Sequence, residues 1–589
     1  MAAEAQGWRA EGLGAASGGL RVADGGQGVR TMGRRRVATW AAALLWAAAW
    51  GLSGTAAPAP AAGAEAGAVV GYRGDGTGVF PGANPPLDWD ESTGRNIVWR
   101  VPLPNWGHSS PVAVGDRVLV TCEPGYGSDW PVLVCLAAAD GRVLWQREVN
   151  HLPAAPVSDE DRAEIARVWH EILAEYRLAY TLFNEYTYGG DREAALEKFK
   201  AHGFAYGGWK GGGYGQLRSL RRTDRQAWKE RSSTIAKAGL DLETWYQECG
   251  MGTACVGQTF ATPVSDGRCV YLATSLHSYA CYDLDGNVKW MRFIPGEFSA
   301  SGNDYCKNAR SPLLYGDLFI SGLANVVCAL DRKTGETRWS HEIFGTHPIA
   351  SPVVIEAGGA DVLWCCGHAF RLPDGEKLSV EGWSNGGTCA LVKSDERDVV
   401  FFTGGGEHGG WEGKGKCPTP PPAAVRFAVD GDTLRAKVLW SGVDGMPLTE
   451  YTGLVYHDRR LYHARGIVLD AATGQVVKGS TDRRSRDRAV PATRHLLAVA
   501  GGHVYGMHEG PGREGEPAQT GVCEVYTLAG AKAAESVLSN APVEGPKREQ
   551  VVQVNGWNTW RYSYACPFAV AGDRLYVRSN DYLWCLGRK

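Results

Sequence analysis

The stretch that decides the fold is Ser311 to Trp339, SPLLYGDLFISGLANVVCALDRKTGETRW. A Ser-Pro pair opens it, an apolar strand pattern follows through Ile320, and a second apolar run ends at Leu330. The residues Asp331 to Gly335 predict a hairpin turn, because Asp and Thr side chains bond the local backbone and glycine takes the positive φ that such turns need. The spacing predicts three short strands, and Trp339 offers a large apolar surface at a fixed distance from the turn.

The same unit recurs along the chain. Ser-Pro or Thr-Pro pairs begin at residues 110, 262, 311 and 351, and in the first three units tryptophan follows glycine by four residues (141 to 145, 286 to 290, 335 to 339). The step from Pro263 to Pro312 is 49 residues, and the step from Pro312 to Pro352 is 40. A period of about 40 to 50 residues with several strands per unit is typical of a β-propeller. Weaker units near residues 399, 453, 499 and 568 bring the predicted number of blades to eight, with seven as the alternative.

The pattern A-x-D-x-x-T-G-x-x-x-W, from Ala329 to Trp339, resembles the tryptophan-docking motif of PQQ-like (quinoprotein-like) propeller repeats. The resemblance covers residues 96 to 589 apart from one insert. Such repeats occur in PQQ-dependent dehydrogenases and in the outer-membrane β-barrel assembly factor, which is not an enzyme. The resemblance implies an all-β, eight-bladed β-propeller, and it leaves both classes of function open.

Composition and periodicity divide the 589 residues into five predicted segments. They are an N-terminal extension with an export signal (1–62), a linker and lead-in (63–95), a propeller-closing strand with the first blade (96–149), an α-helical insert (150–258) and the remaining blades (259–589). Ile97 to Val101 is predicted to complete the C-terminal blade, since an N-terminal strand often closes such rings. In the insert, apolar residues recur at helical spacing behind a capping box of Ser158 and Asp161. Further helices are predicted at 192–202 and 224–238.

The N-terminus predicts an exported protein. Arg34 to Arg36 is basic, Val37 to Leu52 is apolar, and Ser53 to Ala62 is rich in small residues, which is the order of an export signal. We expect a periplasmic or cell-envelope protein, with an N-terminal membrane anchor if the signal is not cleaved. No cysteine precedes Cys122, so the protein is not expected to be a lipoprotein. A net charge of −3 gives no argument for nucleic acid as a partner.

The chain has 15 cysteines, an odd number. Cys249 and Cys255 flank a short loop and are the candidate disulfide of an exported protein. Four others occupy one repeat position, in the strand before the turn, where a small buried hydrophobic residue is expected. They are Cys135, Cys281, Cys328 and Cys585.

The loops that enter the innermost strands of a propeller meet at one mouth of its central channel. In this sequence those loops precede the Ser/Thr-Pro pairs and carry polar residues, which predicts a ligand-binding mouth. The alternative is that these side chains satisfy the loop backbone and line a watery channel. The candidate binding residues are His108, Ser109, Thr259, Asn308, Arg310, His347, His408, Tyr451, Arg494 and Tyr564.

The sequence predicts no catalytic or metal-ligating residues, because it contains no recognisable Ser-His-Asp arrangement and no pair of CxxC motifs. The resemblance implies a non-catalytic scaffold or binding protein, for which we expect protein or glycan partners at the loop face and no cofactor. The alternative that the resemblance implies is a PQQ- and calcium-dependent dehydrogenase of alcohols or sugars. Such enzymes hold calcium with carboxylate and amide oxygens, and the segment Asn303-Asp304 is the nearest cluster of that kind.

Overall fold

The computed structural model describes part of the chain, and the predicted export signal and the candidate disulfide lie outside that part. The described residues are mostly β-strand, and three α-helices occur among them. They are 69–105, 107, 109–122, 130–152, 155–188, 191–206, 220–239, 242, 261–274, 278–294, 310–323, 326–343, 351–365, 367–383, 391–402, 422–443, 453–482, 485–493, 497–509, 520–539, 568–579 and 582–588.

Most of the strands form antiparallel units of four, which we number as sheets 1 to 8 in chain order. Two strands precede the first of them, and sheet 1 then uses four consecutive strands. The two leading strands are β1 (Val79–Phe80) and β2 (Ile97–Pro102). Sheet 1 consists of β3 (Val112–Val114), β4 (Arg117–Cys122), β5 (Val132–Ala137) and β6 (Val143–Glu148).

Helices and a small hairpin follow β6. They are α1 (Asp159–Tyr188), α2 (Arg192–Ala201), β7 (Phe204–Tyr206), β8 (Leu220–Arg222) and α3 (Arg225–Ala236). The Ser158 hydroxyl oxygen accepts the Asp161 backbone N–H at 3.1 Å, so the predicted start of α1 is confirmed. Trp169 of α1, Phe199 of α2 and Trp228 of α3 pack in one apolar core. Within the described residues, no helix combines the length and the apolar character that crossing a membrane requires.

Sheets 2 to 4 continue the pattern. Sheet 2 contains β9 (Val264–Ser265), β10 (Cys269–Ala273), β11 (Ser278–Asp283) and β12 (Val288–Phe293). Sheet 3 contains β13 (Leu313–Tyr315), β14 (Leu318–Leu323), β15 (Val326–Asp331) and β16 (Thr337–Glu342), and sheet 4 contains β17 (Val353–Ala357), β18 (Ala360–Cys365), β19 (His368–Arg371) and β20 (Lys377–Glu381). The prediction of three strands between residues 311 and 339 is therefore wrong, because a turn at Gly316 splits the first apolar run into two strands.

Sheets 5 to 8 complete the set. Sheet 5 contains β21 (Leu391–Lys393), β22 (Val399–Phe402), β23 (Ala423–Asp430) and β24 (Thr433–Ser441), and sheet 6 contains β25 (Leu454–His457), β26 (Arg460–His463), β27 (Ile467–Asp470) and β28 (Val476–Lys478). Sheet 7 contains β29 (Leu497–Ala500), β30 (His503–Glu509), β31 (Thr520–Thr527) and β32 (Lys532–Ser539), with β1 added beside β29. Sheet 8 contains β33 (Phe568–Ala571), β34 (Arg574–Arg578) and β35 (Tyr582–Gly587), and β2 is its fourth strand. The predicted pairing of the N-terminal strand with the C-terminal unit is confirmed, since β2 runs antiparallel to β35.

A tryptophan in the fourth strand of one sheet docks on the next sheet. Trp290 Nε1 donates to the Arg332 carbonyl oxygen at 2.8 Å, and the indole covers Gly335. A Cβ atom on Gly335 would lie 2.6 Å from the indole, and its φ is 73°, so only glycine fits this turn. Four further pairs have indole-to-carbonyl distances of 2.8 to 3.0 Å: Trp99 with Ala138, Trp145 with Leu284, Trp339 with Pro373, and Trp440 with Ala471.

Two joints use other residues at the tryptophan position. Lys478 Nζ donates to the Ala529 carbonyl oxygen at 2.6 Å, which joins sheet 6 to sheet 7. Ser379 lies in β20, which pairs parallel with β24, and its backbone N–H donates to the Asp432 carbonyl oxygen at 2.9 Å. Sheets 4 and 5 therefore form one eight-stranded sheet.

The chain that leads into β2 fills the joint between sheets 7 and 8. The backbone N–H of Trp89 donates to Ser536 Oγ at 3.0 Å, and the backbone N–H of Asn84 donates to the Gly572 carbonyl oxygen at 2.9 Å. Trp89 also packs in the apolar cluster that these two sheets share. Each of the eight sheets thus contacts the sheet that follows it in the chain, and sheet 8 contacts sheet 1 through Trp99.

Candidate functional site

The Ser/Thr residues of the Ser/Thr-Pro pairs form a row of hydrogen bonds from sheet to sheet. The Ser110 N–H donates to Thr262 Oγ1, the Thr262 N–H to Ser311 Oγ, and the Ser311 N–H to Ser351 Oγ, each at 3.0 Å. Ser110, Thr262 and Ser311 are buried. The proline that follows each of these residues favours an extended backbone at that position. We call these four residues the hydroxyl row; it ties together the starts of the first strands in sheets 1 to 4.

Ser109 lies one residue before this row and is fully buried. Its Oγ accepts a hydrogen bond from Arg578 Nη1 at 2.8 Å and lies 2.8 Å from the Thr121 hydroxyl. Arg578 Nη2 lies 3.7 Å from Cys122 Sγ. A charged guanidinium makes a stronger hydrogen bond than a neutral donor, so this contact links the end of β34 in sheet 8 firmly to the segment that enters sheet 1.

Arg310 precedes the hydroxyl row in the same way and is fully buried. Its side chain passes over Gly322 of β14: a Cβ atom on Gly322 would lie 3.2 Å from Arg310 Cδ and 3.2 Å from Cys365 Sγ. A side chain at residue 322 would therefore press on both Arg310 and Cys365, so glycine gives the stem of Arg310 room between sheets 3 and 4.

The structure places Ser109 and Arg310 on the same side of their sheets, because each immediately precedes a hydroxyl-row residue. The other eight candidates lie outside the described residues, so their role in binding stays a prediction: His108, Thr259, Asn308, His347, His408, Tyr451, Arg494 and Tyr564. The sequence analysis missed Arg578 and Thr121, which lie at the ends of second strands, where no Ser/Thr-Pro pair marks the position. The Ser/Thr-Pro pairs were interpreted only as the starts of strands, although the hydroxyl residue in every pair could have indicated the hydrogen bonds of the hydroxyl row.

Two buried histidines lie on this side of the sheets. His151 Nδ1 is 3.1 Å from Ser278 Oγ, its ring stacks on Phe293, and burial lowers its pKa to about 4. His463 Nδ1 accepts the Arg465 N–H at 3.2 Å, and burial, together with the charge of Arg465, lowers the pKa of His463 to about 3. Both rings are therefore neutral near pH 7 and act as uncharged hydrogen-bonding groups.

The four cysteines of the shared repeat position are buried free thiols, so their predicted role as small buried hydrophobic residues is confirmed. Burial raises the pKa of Cys135 to about 11 and that of Cys328 to about 12. Thiols with such pKa values carry almost no thiolate near neutral pH and are poor nucleophiles. Across the described ranges, no group of three or more His, Cys, Asp or Glu side chains is placed to hold a metal ion.

Comparison with known families gives one match. The family model described as "Outer membrane protein assembly factor BamB" matches residues 37–174 and 215–363. The matched ranges include all four Ser/Thr-Pro pairs and four of the five docked tryptophans. No curated protein sequence gives a significant match.

Three solved structures share distant similarity with the chain. BamB from Moraxella catarrhalis is 14% identical, with a TM-score of 0.31, over 55% of this chain and 81% of that one. The quinohemoprotein alcohol dehydrogenase from Comamonas testosteroni is 10% identical, with a TM-score of 0.28, over 79% and 80%. The quinohemoprotein alcohol dehydrogenase ADHIIG from Pseudomonas putida HK5 is 12% identical, with a TM-score of 0.29, over 86% and 78%.

TM-scores of this size give no information about function. The similarity to the family therefore rests on the family match and on the repeats themselves. The tryptophan-to-turn contacts are the structural form of the sequence motif that runs from Ala329 to Trp339. These contacts recur at five joints. At each of the five, the indole lies against the glycine of a turn in the next sheet. The chain is similar to the PQQ-like propeller family over residues 37–174 and 215–363.

Proposed function

We propose that the eight sheets form one eight-bladed ring, with residues 150–258 as an insert after the first blade. The proposal is supported by the contacts between successive sheets, including the contact from Trp99 of sheet 8 to Ala138 of sheet 1. A row of sheets in which the last binds the first closes on itself. Radial repetition of small sheets also leaves only short, protected strand edges, which limits edge-to-edge aggregation.

We propose further that this ring is an exported, non-catalytic scaffold that binds a protein partner. The observation that carries this proposal is the hydroxyl row. Its members use their hydroxyl groups to join neighbouring sheets at 3.0 Å, and Arg578 extends the linkage to Ser109. These bonds make the base from which the connecting segments depart rigid, and binding residues are commonly carried by loops on such a rigid scaffold.

The family match supports the choice of a protein as the partner, because the matching family is described as an outer membrane protein assembly factor. The helical segment adds a second surface next to sheet 1. Its core is apolar and closed by stacked aromatic rings, with Trp130 and Trp169 at 5.3 Å. Rigid packing of this kind suits a segment that holds a fixed position beside the ring.

The partner can be tested with a loop-replacement variant. Residues 403–421 follow Phe402, the last residue of the second strand of sheet 5, and precede the third strand, which begins at Ala423; these two strand ends lie on the side of the hydroxyl row. Replacement of residues 403–421 by a Gly-Ser linker of equal length should abolish cross-linking to envelope proteins of the source cell. The control replaces Lys333 and Glu336 by serine and keeps Thr334 and Gly335. These two residues lie in the turn between the third and fourth strands of sheet 3, at the opposite ends of the strands, and their replacement should leave cross-linking unchanged. Equal cross-linking by the wild type and both variants would contradict the proposal.

A thermal-shift titration with PQQ, with and without CaCl₂, tests the enzymatic alternative. A ligand that binds only the folded protein raises the melting temperature as its concentration rises. We expect no shift with PQQ at concentrations well above micromolar. A saturable, calcium-dependent rise would overturn the scaffold proposal in favour of a PQQ-dependent dehydrogenase.

A further inference from the structure

The segment that leads into β1 contacts sheets that are far apart in the order of the chain. Val70 exchanges two backbone hydrogen bonds with Ser265 of sheet 2, at 2.9 and 2.8 Å. Only three residues later, Arg73 Nη2 donates to the carbonyl oxygen of Leu454 in sheet 6. In a ring of eight blades, sheets 2 and 6 lie opposite each other. Three residues span about 10 Å, so the chain and the arginine side chain together bridge the interior.

The bridge is built as a compact loop. Gly71 and Gly74 exchange backbone hydrogen bonds at 2.7 and 3.1 Å, which folds the chain into a tight turn. Arg73 sits in this turn with φ 57°, a strained conformation for a residue with a side chain, and it is only 6% exposed. Its Nη2 also donates to the Thr77 carbonyl oxygen at 3.0 Å, and a Cβ atom on Gly78 would lie 2.8 Å from that nitrogen. The guanidinium therefore fixes both ends of the loop.

The chain leaves the interior along sheets 7 and 8. Val79 and Phe80 pair in parallel with Val499 and Ala500 of β29, on the free side of this first strand. Ser265 and Ala500 are the last residues of the first strands in sheets 2 and 7, whereas Leu454 is the first residue of the first strand in sheet 6. The contacts of Val70 and Phe80 therefore lie at the strand ends opposite to the hydroxyl row, and the contact of Arg73 with Leu454 lies at the strand end near the row.

From these contacts we infer that residues 70–80 plug the central channel along its inner strands. The inference rests on the proposed ring and adds to it that the channel is closed to a passing chain. An extended polypeptide cannot thread through the ring, so a partner that binds at the channel does so with an end or a tip.

Cryo-electron microscopy of the full chain separates this inference from the function it rests on. We expect an eight-bladed ring with density across the central channel between sheets 2 and 6. A ring with an open channel at both ends would overturn the plug and leave the proposed ring intact. A particle that is not a ring would overturn the proposed architecture and the plug with it.

Hydrogen exchange gives a second test on the same chain. In the Arg73→Ala variant, the amides of Ser265 and Val499, which bond Val70 and Gly78, should exchange at least tenfold faster. The amide of Thr262, which bonds the hydroxyl row, should be unchanged. Arg95→Ala, which removes an exposed ion pair with Asp88 in the same N-terminal segment, is the control and should alter none of the three amides.

Unchanged exchange at Ser265 and Val499 would overturn the inference. If Arg73→Ala unfolds the whole chain, Arg73→Lys replaces it, since lysine keeps the positive charge and its shorter side chain withdraws the donor that bonds Thr77 and Leu454. The same two amides should then exchange faster by a smaller factor, and no change would again overturn the plug.

Discussion

At the scale of single residues, the position that follows the turn glycine by four residues determines how two blades are joined. Trp290 buries nearly its whole side chain and keeps its indole N–H bonded to a carbonyl oxygen. Lys478 occupies the equivalent position in sheet 6, where its ammonium group makes the carbonyl bond and its stem lies against Gly530. Lysine can do this because its long apolar stem covers a surface while its head remains in water.

We therefore predict that Trp290→Ala lowers the free energy of unfolding by about 3 to 5 kcal/mol, as for other large-to-small replacements of buried aromatic residues. Lys478→Ala should cost below about 1 kcal/mol, because its side chain is exposed and its hydrogen bond competes with water. Urea unfolding of the two variants measures the difference. Equal losses of unfolding free energy would contradict the view that burial of the indole is the main stabilising contact at these joints.

The buried histidines make stability depend on pH. An unfolded histidine has a pKa of about 6.5, whereas His151 has a pKa of about 4 in the folded protein. Between these two pKa values, His151 is protonated in the unfolded state and neutral in the folded state. The stability from this residue is complete above about pH 6.5 and is lost as the pH falls towards 4. A shift of this size corresponds to about 3 kcal/mol at most.

We predict that His151→Phe makes the fall in melting temperature between pH 6.5 and pH 4 less steep than in the wild type. Phenylalanine keeps the stacking on Phe293 and cannot be protonated. The replacement His503→Gln at an exposed histidine is the control and should leave the slope as it is. If the His151 variant and the wild type have the same slope, the buried ring is not the source of the pH dependence.

At the scale of elements, the joint between sheets 4 and 5 departs from the repeat. Here β20 pairs in parallel with β24, and the ion pair between Arg435 and Glu381 lies beside the paired strands. Gly382 follows β20 with φ 85°, and a Cβ atom on it would lie 2.2 Å from the carbonyl oxygen of Ala436. Gly442, after β24, has φ 86° and open space around it. The two glycines thus share a backbone conformation and differ in their surroundings.

We predict that Gly442→Ala costs about 1 kcal/mol, the strain of a positive φ alone. Gly382→Ala should cost about 2 kcal/mol more, because the new methyl group collides with backbone that cannot move without breaking the parallel pairing. Chemical denaturation of both variants in the same buffer gives the comparison. A difference close to zero would mean that the pairing of β20 with β24 adds little to this joint.

The sequence predicted the joints that carry the repeat motif and missed those that replace it. The motif is local, because its Asp, Thr, Gly and Trp lie within eleven residues. It therefore predicts only the turn that these residues form and the tryptophan that follows the turn. Ser379 in place of tryptophan showed that the joint after sheet 4 differs, yet nothing near it in sequence names β24 as the partner. Parallel pairing depends on residues more than fifty positions apart, and single-sequence patterns do not report such contacts.

At the scale of the whole molecule, the sequence predicted the strands that frame the candidate site and did not predict the side-chain contacts within it. The Ser/Thr-Pro pairs predicted where the first strands begin, because proline and hydroxyl residues have fixed local preferences. The plug could not be predicted, since residues 69–80 have no periodicity and their contacts with sheets 2, 6 and 7 are all distant in sequence. Arg578 was missed for the same reason: its partner Ser109 is separated from it by nearly the whole chain.

The N-terminal segment thus does two things that a truncation series can separate. Residues 70–91 plug the interior and fill the joint between sheets 7 and 8, whereas β2 supplies the fourth strand of sheet 8 and carries Trp99 to sheet 1. A chain that begins at residue 69 retains both and is the reference. A chain that begins at residue 96 loses the plug and keeps β2, and a chain that begins at residue 103 loses both.

We predict that the chain beginning at residue 96 melts at a lower temperature than the reference and keeps its radius of gyration in small-angle scattering, because Trp99 still joins sheet 8 to sheet 1. The chain beginning at residue 103 should expand by several ångströms, since loss of β2 leaves sheet 8 with three strands and removes an indole whose burial is worth about 3 to 5 kcal/mol. Trp99→Ala in the reference chain isolates the indole and should lower the melting temperature without expansion. If the chain beginning at residue 103 stays as compact as the reference, closure through β2 does not hold the molecule together, and the joint between sheets 8 and 1 must rest on Arg578 and Ser109 instead.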